Sequence, residues 1–291
     1  MGDRDQRGAS DSGPVSGPKA RLLHRGGGSF KGREVEFGDR LDASVSRLVV
    51  ASQWWPEICI AIADLGFDMS CVEVWTESHE DLPLLRVDPS EVLARRDEYL
   101  ALAAVIRALE DEIPDSGLSR LDFLEHALLQ APSGGIALEF GVFRGESLNV
   151  IAKHRPVVGF DSFSGLPEDW TPRHPKGTFG LDAVPEVDER AELVVGWFDD
   201  TLPQFLNDRS GAVIDFLHLD ADLYSSTKYV LSSIFDRMSS GCILLFDEFI
   251  PLPDDLSGGE HRAWSESVAE FGIRGEYLGR SGGRVALRAE R

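Results

Sequence analysis

Apolar positions in this chain change their spacing in a repeating order. Short unbroken runs alternate with stretches in which apolar residues recur every three or four positions. The order is sharpest from Ile136 onward. Ile136, Ala137 and Leu138 form an apolar run that ends in Glu139, and a turn with Gly141 and Gly145 follows. An amphipathic helix is predicted from about Ser147, and a second apolar run closes on Asp161. A third strand is expected over Leu193–Gly196, with Trp197 and Phe198 at its carboxyl end and a helix from Thr201. Ile214–Leu219 reads as a fourth strand, ending in Asp220-Ala221-Asp222. Leu223–Met238 reads as helix and Cys242–Phe246 as a fifth strand, ending in Asp247-Glu248. A helix over Gly259–Phe271 and two strands near Glu276–Leu278 and Arg284–Leu287 follow. Strands alternating with helices predict an α/β domain with a parallel sheet and helices on both faces. The last two strands, with no helix between them, predict an antiparallel hairpin at one edge.

Upstream, a helix over Leu118–Gln130 delivers the chain to the first of these strands. Between Leu41 and Pro114 the pattern predicts a small α/β piece: a strand at Arg47–Ala51, a helix at Pro56–Leu65 and a strand at Cys71–Trp75. A long helix then starts with Ser90 as N-cap and carries Val92, Tyr99, Leu102, Ile106, Leu109 and Ile113 on one stripe. Trp54, Trp55 and Trp75 either line a pocket or fill a core. Residues 1–38 are rich in Gly, Ser and Arg, and residues 1–33 carry seven Lys/Arg against three Asp. Such a segment cannot offset its own ordering entropy and is expected to be a disordered basic tail. The chain therefore divides into 1–38, an accessory region 39–115, and a main domain 116–291. Within the main domain, Ser162–Arg190 holds Pro167, Pro172, Pro175 and Pro185 together with Trp170, His174, Lys176 and Phe179. A segment so long and irregular inside an α/β domain is expected to be a functional cover.

Composition narrows the function classes. At 291 residues and 42% hydrophobic, the chain can bury one large core plus a small accessory unit. The net charge of −21 argues against nucleic acid as a partner, because phosphate contacts need a basic face. No run reaches the roughly 18 apolar residues of a membrane span, and the N-terminus lacks the apolar centre of a signal peptide. Cys59, Cys71 and Cys242 lie far apart, without zinc spacing, and read as reduced packing residues. The expectation is a soluble, cytoplasmic protein with no membrane partner.

The candidate chemistry lies at the strand ends. In open α/β sheets ligands sit beyond the carboxyl ends of the strands, and the Ile136–Asp161 stretch has the layout of a βαβ nucleotide-binding unit. Its glycines leave room for a ligand beside a helix N-terminus, and an acid after the second strand can bind both hydroxyls of a ribose. Phe143 stands where a dinucleotide fingerprint wants its middle glycine. Asp220, Asp247 and Glu248, from neighbouring strand ends, offer hard oxygen ligands that suit Mg²⁺. The alternative is that these acids cap helices or sit solvated, with Asp222 as an N-cap. His218, within a strand, is expected to be packed and hydrogen-bonded. Tyr224 and Lys228 stand next to the acids and reach either a substrate or solvent.

Five blocks, LEFGVFRGES (138–147), GFDSFSGLPEDW (159–170), GWFDDTLP (196–203), IDFLHLDADLYSSTKYVL (214–231) and LLFDEF (from 244), make the chain resemble the macrocin-type O-methyltransferases. The resemblance covers about Leu118 to Phe271. It implies a class I, Rossmann-like, doubly wound methyltransferase fold with a mostly parallel seven-stranded sheet and an antiparallel edge strand. It also implies S-adenosylmethionine and Mg²⁺ as cofactors and a small-molecule hydroxyl, such as a sugar hydroxyl of a natural product or glycan, as acceptor. A homo-oligomer is compatible with it. Carried over, Glu139, Gly141 and Gly145 would form the first cofactor loop, with Ser147 near the methionine carboxylate. Asp161 would bind the ribose with Ser162 beside it, and Gly196, Trp197 and Phe198 would flank adenine. Asp220, Asp247 and Glu248 match the metal ligands, and Asp222 matches a proposed general base. A nicotinamide-dependent oxidoreductase and a non-catalytic binding protein of the same fold are the rival readings.

Overall fold

The computed structural model describes residues 20–23, 28–30, 33–35, 47–51, 54–76 and 85–290. Its N-terminal region is built on a four-stranded sheet ordered β1 (Ala20–Leu23), β4 (Arg47–Ala51), β5 (Val72–Thr76), β6 (Leu85–Val87), while β2 (Gly28–Phe30) pairs separately with β3 (Arg33–Val35). Helix α1 (Trp55–Asp64) carries the chain from β4 to its parallel neighbour β5. Leu48, Val50, Val72 and Val74 point to one face and close a small core with Trp55, Cys59 and Ile60. Helices α2 (Pro89–Ala94) and α3 (Arg96–Glu112) follow.

The main domain runs α4 (Arg120–Leu128), β7 (Ile136–Phe140), α5 (Glu146–His154), β8 (Val157–Asp161), β9 (Ala191–Val195), α6 (Phe198–Asp208), β10 (Ile214–Leu219), α7 (Tyr224–Ile234), β11 (Met238–Phe246), α8 (Gly259–Phe271), β12 (Arg274–Ser281) and β13 (Arg284–Glu290). Its seven strands lie in the order β12-β13-β11-β10-β7-β8-β9. β7 to β11 are mutually parallel, and β13 runs antiparallel to both neighbours, so the reversed strand is one place in from the edge. This is the class I, Rossmann-like doubly wound order, with its switch point between β7 and β10.

Period-two alternation sends side chains to two cores. Leu138, Phe140, Leu217, Leu219, Leu244 and Phe246 meet α3, α6, α7 and α8 on one face. Ala137, Phe216, Ile243 and Leu245 meet α4 and α5 on the other. Each such buried Leu, Ile or Phe contributes roughly 1.5–3 kcal/mol relative to exposure.

Several expectations are corrected. Most of the expected tail, including residues 1–19, lies outside the described residues. Strands β1, β2 and β3 fall within its span, so order does not wait for Leu41: Ala20–Leu23 gains a ladder of backbone bonds along β4. The long helix expected from Ser90 begins at Pro89 and breaks at Arg95. Its cap is Asp88, whose carboxylate accepts from Ser90 N at 2.9 Å, while Pro89 fits the first turn because it needs no amide partner there. Nothing in the sequence marks the break at Arg95. α3 buries Leu102, Ile106, Leu109 and Ile113 in the main-domain core. α6 starts at Phe198, not Thr201, and α7 ends at Ile234, because Phe235–Arg237 tightens into a 3₁₀ turn and Met238 already belongs to β11. Ser162–Arg190, the segment expected to be a cover, has no helix or named strand.

Candidate functional site

Strand-end backbone bonds bring the switch point together. Gly141 N donates to Phe160 O at 3.0 Å, Asp220 N to Phe140 O at 2.8 Å, and Asp247 N to Leu219 O at 2.8 Å. Above these ends opens a cleft of about 1430 Å³. Gly141, Ser147, Asp161, Ser162, Trp197 and Phe198 line one end of it, and Asp220, Asp222, Asp247 and Glu248 line the other.

At the glycine turn, Gly141 has φ +92°, and a Cβ there would overlap the carbonyl oxygen of Asp220. Only glycine fits. Gly145, at φ +80°, is the left-handed cap from which α5 starts, and Ser147 sits buried in that helix's first turn. Gly145 and Gly196 shape turns and do not themselves line the cleft. The Asp161 carboxylate is tied to the loop. Oδ2 accepts from Val142 N and Phe143 N, both at 2.8 Å, and Oδ1 accepts from Phe163 N at 2.7 Å. These bonds hold Phe143 and Phe163 at φ +48° and +54°, a backbone region that bulky residues rarely adopt.

Glu139 sits elsewhere than expected. It is 0% exposed, beneath the cleft floor, with Oε1 2.7 Å from His218 Nδ1. The other imidazole nitrogen, Nε2, lies 3.6 Å from Asp247 Oδ1. Burial alone would lower the His218 pKa, but its contacts with Asp247 and Glu139 outweigh that and push it up to about 10. His218 is thus the packed, hydrogen-bonded residue expected, and it is cationic. Glu139 reaches the cleft only through it.

The acid end is crowded. One ligand atom each of His218, Asp220 and Asp247 lie within 4.8 Å of one another, and Glu248 stands outside this group. Arg120, from the start of α4, reaches Asp220 Oδ2 at 2.8 Å and Asp247 Oδ1 at 3.5 Å. Arg284 Nε reaches Asp247 Oδ1 at 3.0 Å. Burial, followed by the charge of Asp247, pushes Asp220 up to about 7 and Glu248 up to about 8. Burial and then the Asp220 charge raise Asp222 well above the carboxylate range. Burial would also raise Asp247, but His218 and Arg284 reverse the sign and hold it low. Asp222 does not cap α7. Leu223 holds the cap position and Asp222 is turned to φ +58°. Below them Glu260, 0% exposed at the start of α8, accepts from Glu248 N at 2.9 Å. Among the described residues, six carboxylates (Glu139, Asp220, Asp222, Asp247, Glu248, Glu260) thus face two guanidiniums and one imidazolium. The set is short of positive charge, and its donors are hard oxygens.

Tyr224 and Lys228 turn away from the acids to α8, where they meet Glu266 Oε2 at 2.6 Å and Glu270 Oε2 at 2.7 Å. The sequence reading missed Arg120, Arg284 and Glu260, because none belongs to a local motif and only the tertiary fold brings them to the strand ends. The remaining wall belongs to the cover. Arg173 and Asp254 form a buried two-pronged ion pair at 2.6 and 2.8 Å, which fastens the cover to the chain beyond β11. Trp170, His174, Phe179 and Phe143 follow one another at ring distances of 4.9, 5.9 and 5.8 Å.

A family profile described as "Methyltransferase domain" matches residues 138–249. An 8-demethyl-8-(2,3-dimethoxy-alpha-L-rhamnosyl)-tetracenomycin-C 4'-O-methyltransferase of Streptomyces olivaceus is 30% identical over 163 residues, 46% of this chain and 61% of that protein. The chain therefore spans about three fifths of that relative's length. A mycinamicin III 3''-O-methyltransferase of Micromonospora griseorubida is 26% identical over 200 residues, 57% of this chain and 77% of the relative. Among solved structures, the calicheamicin methyltransferase CalS11 aligns with a TM-score of 0.46 at 22% identity, covering 80% of this chain and 91% of that one. Among the described residues no helix is long and apolar enough to cross a membrane.

Proposed function

From the match of residues 138–249 to a methyltransferase-domain profile, we propose that the chain is a macrocin-type, S-adenosylmethionine-dependent and Mg²⁺-assisted O-methyltransferase. Its acceptor is a small-molecule hydroxyl, of the class the two curated relatives are named for: a sugar hydroxyl on a natural product. The observation that carries this reading is the joining of two ends in one cleft. A glycine turn with a helix N-terminus and Asp161 lies at one end, and an oxygen-rich acid set lies at the other. The nicotinamide reading loses support, since Phe143 occupies the place of the fingerprint glycine.

At the first end, the backbone around Gly141 and the buried Ser147 in the first turn of α5 give an anionic carboxylate a ready site. Trp197 and Phe198 supply flat apolar faces for a purine. Asp161 keeps the loop in shape, so its ribose role is confined to lone pairs not used by Val142, Phe143 and Phe163. The donor, when bound, supplies an electrophilic methyl group.

At the second end, Asp220 and Asp247 would hold the cation and Glu248 would complete the set from its margin. The excess of buried carboxylate over guanidinium fits a hard divalent ion. Bound there, Mg²⁺ supplies Lewis acidity that lowers the pKa of an acceptor hydroxyl. His218, hydrogen-bonded to Glu139 through Nδ1, places Nε2 3.6 Å from Asp247 Oδ1 and acts on that carboxylate by charge, from beneath the cation site. Asp222 is the proton acceptor, since it lines the cleft two residues beyond Asp220. The cover excludes water while the fixed ends hold the reacting groups in line.

Calorimetric titration with S-adenosylhomocysteine, with and without Mg²⁺, is the test. We expect micromolar binding of the nucleoside and a Mg²⁺ response that Asp220→Ala abolishes. Binding of NAD in place of the nucleoside, or a Mg²⁺ response that survives Asp220→Ala, would falsify the assignment.

A further inference from the structure

Trp75 belongs to the accessory region, yet it lines the same cleft as Asp220 and Asp161. Alternation along β5 explains how. Val72 and Val74 are buried in the accessory core, so Trp75 stands on the opposite face of that strand. Its indole N–H donates to Glu73 Oε2 at 3.4 Å, from the same face, which fixes the ring's direction. The strand is pinned on both sides, with Trp75 in register with Ala51 of β4 and Arg86 of β6. The ring remains only partly buried. A large indole held in place on a short, paired strand and left facing a cleft has not been used for packing.

The cleft has room for what this ring could take. Its volume of about 1430 Å³ exceeds the roughly 300–1,000 Å³ of an ordinary small-molecule site. The donor end and the acid end are walled by the main domain, and the remaining wall carries the rings of Trp75, Trp170, His174 and Phe179 beside Leu166, Arg173 and Lys176. Trp170 also lines a second, shallower cavity of about 550 Å³ between the cover and Tyr99 of α3, so this wall continues toward the accessory helices.

We propose that Trp75, in the cleft it shares with Trp170, His174 and Phe179, forms a platform on which a ring of the acceptor stacks, and that the accessory region thereby takes part in choosing the acceptor. This rests on the methyltransferase reading of the cleft. The matched residues 138–249 leave out Trp75, so the determinant lies outside the matched domain. Trp75 acts by positioning and takes no part in proton transfer.

The test measures binding of 4-nitrophenyl α-L-rhamnopyranoside and methyl α-L-rhamnopyranoside to the full-length protein saturated with S-adenosylhomocysteine and Mg²⁺. Wild type, Trp75→Ala and Trp75→Phe are compared by calorimetry. Trp75→Ala is expected to weaken aryl glycoside binding roughly tenfold, and Trp75→Phe to restore it to within about threefold. The affinity for S-adenosylhomocysteine should be the same in all three, which also certifies that the variants are folded. If both glycosides respond to Trp75→Ala, the stacked ring is the sugar; if only the aryl glycoside responds, it is the aglycone. The proposal is overturned if Trp75→Ala binds the aryl glycoside like wild type, or if wild type binds S-adenosylhomocysteine but neither glycoside at millimolar concentration. Failure of wild type to bind S-adenosylhomocysteine would instead bring down the methyltransferase reading beneath it.

Discussion

Single residues at the strand ends set how this protein should respond to pH. Asp220 and Glu248 have folded pKa values of about 7 and 8, above those of the unfolded chain. The folded state therefore binds more protons than the unfolded one between about pH 4 and 8, and its stability falls as pH rises through that window. His218, raised to about 10, adds to the fall above its unfolded value of 6.5. A divalent ion competes with those protons, so the thermal shift produced by Mg²⁺ should grow from pH 5.5 to pH 8.5. Asp220→Asn should flatten the decline seen without metal. A Mg²⁺ shift of equal size at both ends of the range would show that these acids do not hold the ion. Gly141 makes a sterner demand. Gly141→Ala forces a side chain into the Asp220 carbonyl at φ +92°, so it should cost several kcal/mol and abolish binding of S-adenosylhomocysteine, checked by denaturant titration and calorimetry.

At the scale of elements, the strands were legible because each is a short apolar run bounded by Gly, Pro or acid. Ile136–Phe140, Val157–Asp161 and Ile214–Leu219 fall where the pattern puts them. Helix ends were less legible. Phe198 enters α6 three residues before Thr201, and the break at Arg95 has no local signal. The acids of the site could be read from strand ends, whereas Arg120 and Arg284 could not, because they reach Asp220 and Asp247 across more than thirty residues of chain. The irregularity of Ser162–Arg190 was legible from its prolines, but the fastening of this segment was not. Arg173 and Asp254 are both buried, and removing one partner leaves the other charge uncompensated, a loss of roughly 3–5 kcal/mol. Arg173→Ala should release the cover, read as faster amide exchange over residues 164–182 with the exchange of β7 and β10 unchanged. Equal protection in both proteins would mean that the aromatic strip alone holds it.

The whole molecule is knitted across the expected division. Tyr99 of α3 packs in the accessory core, while Leu102, Ile106, Leu109 and Ile113 of the same helix pack in the main core. Arg280 of β12 fastens the chain just beyond α3, where its Nε donates to Ile113 O at 2.9 Å and its backbone N to Pro114 O at 3.0 Å. A helix shared in this way should make the two regions unfold together. Calorimetry is expected to show one transition, and Ile106→Ala should destabilise both regions by about 2–5 kcal/mol, followed through near-ultraviolet circular dichroism. Two separated transitions would show that α3 does not couple them.

The three amide bonds made by Asp161 carry a kinetic consequence. A pocket rim already clamped by a carboxylate has no coil to freeze when a nucleoside arrives, so association should proceed in one exponential phase whose rate rises linearly with concentration.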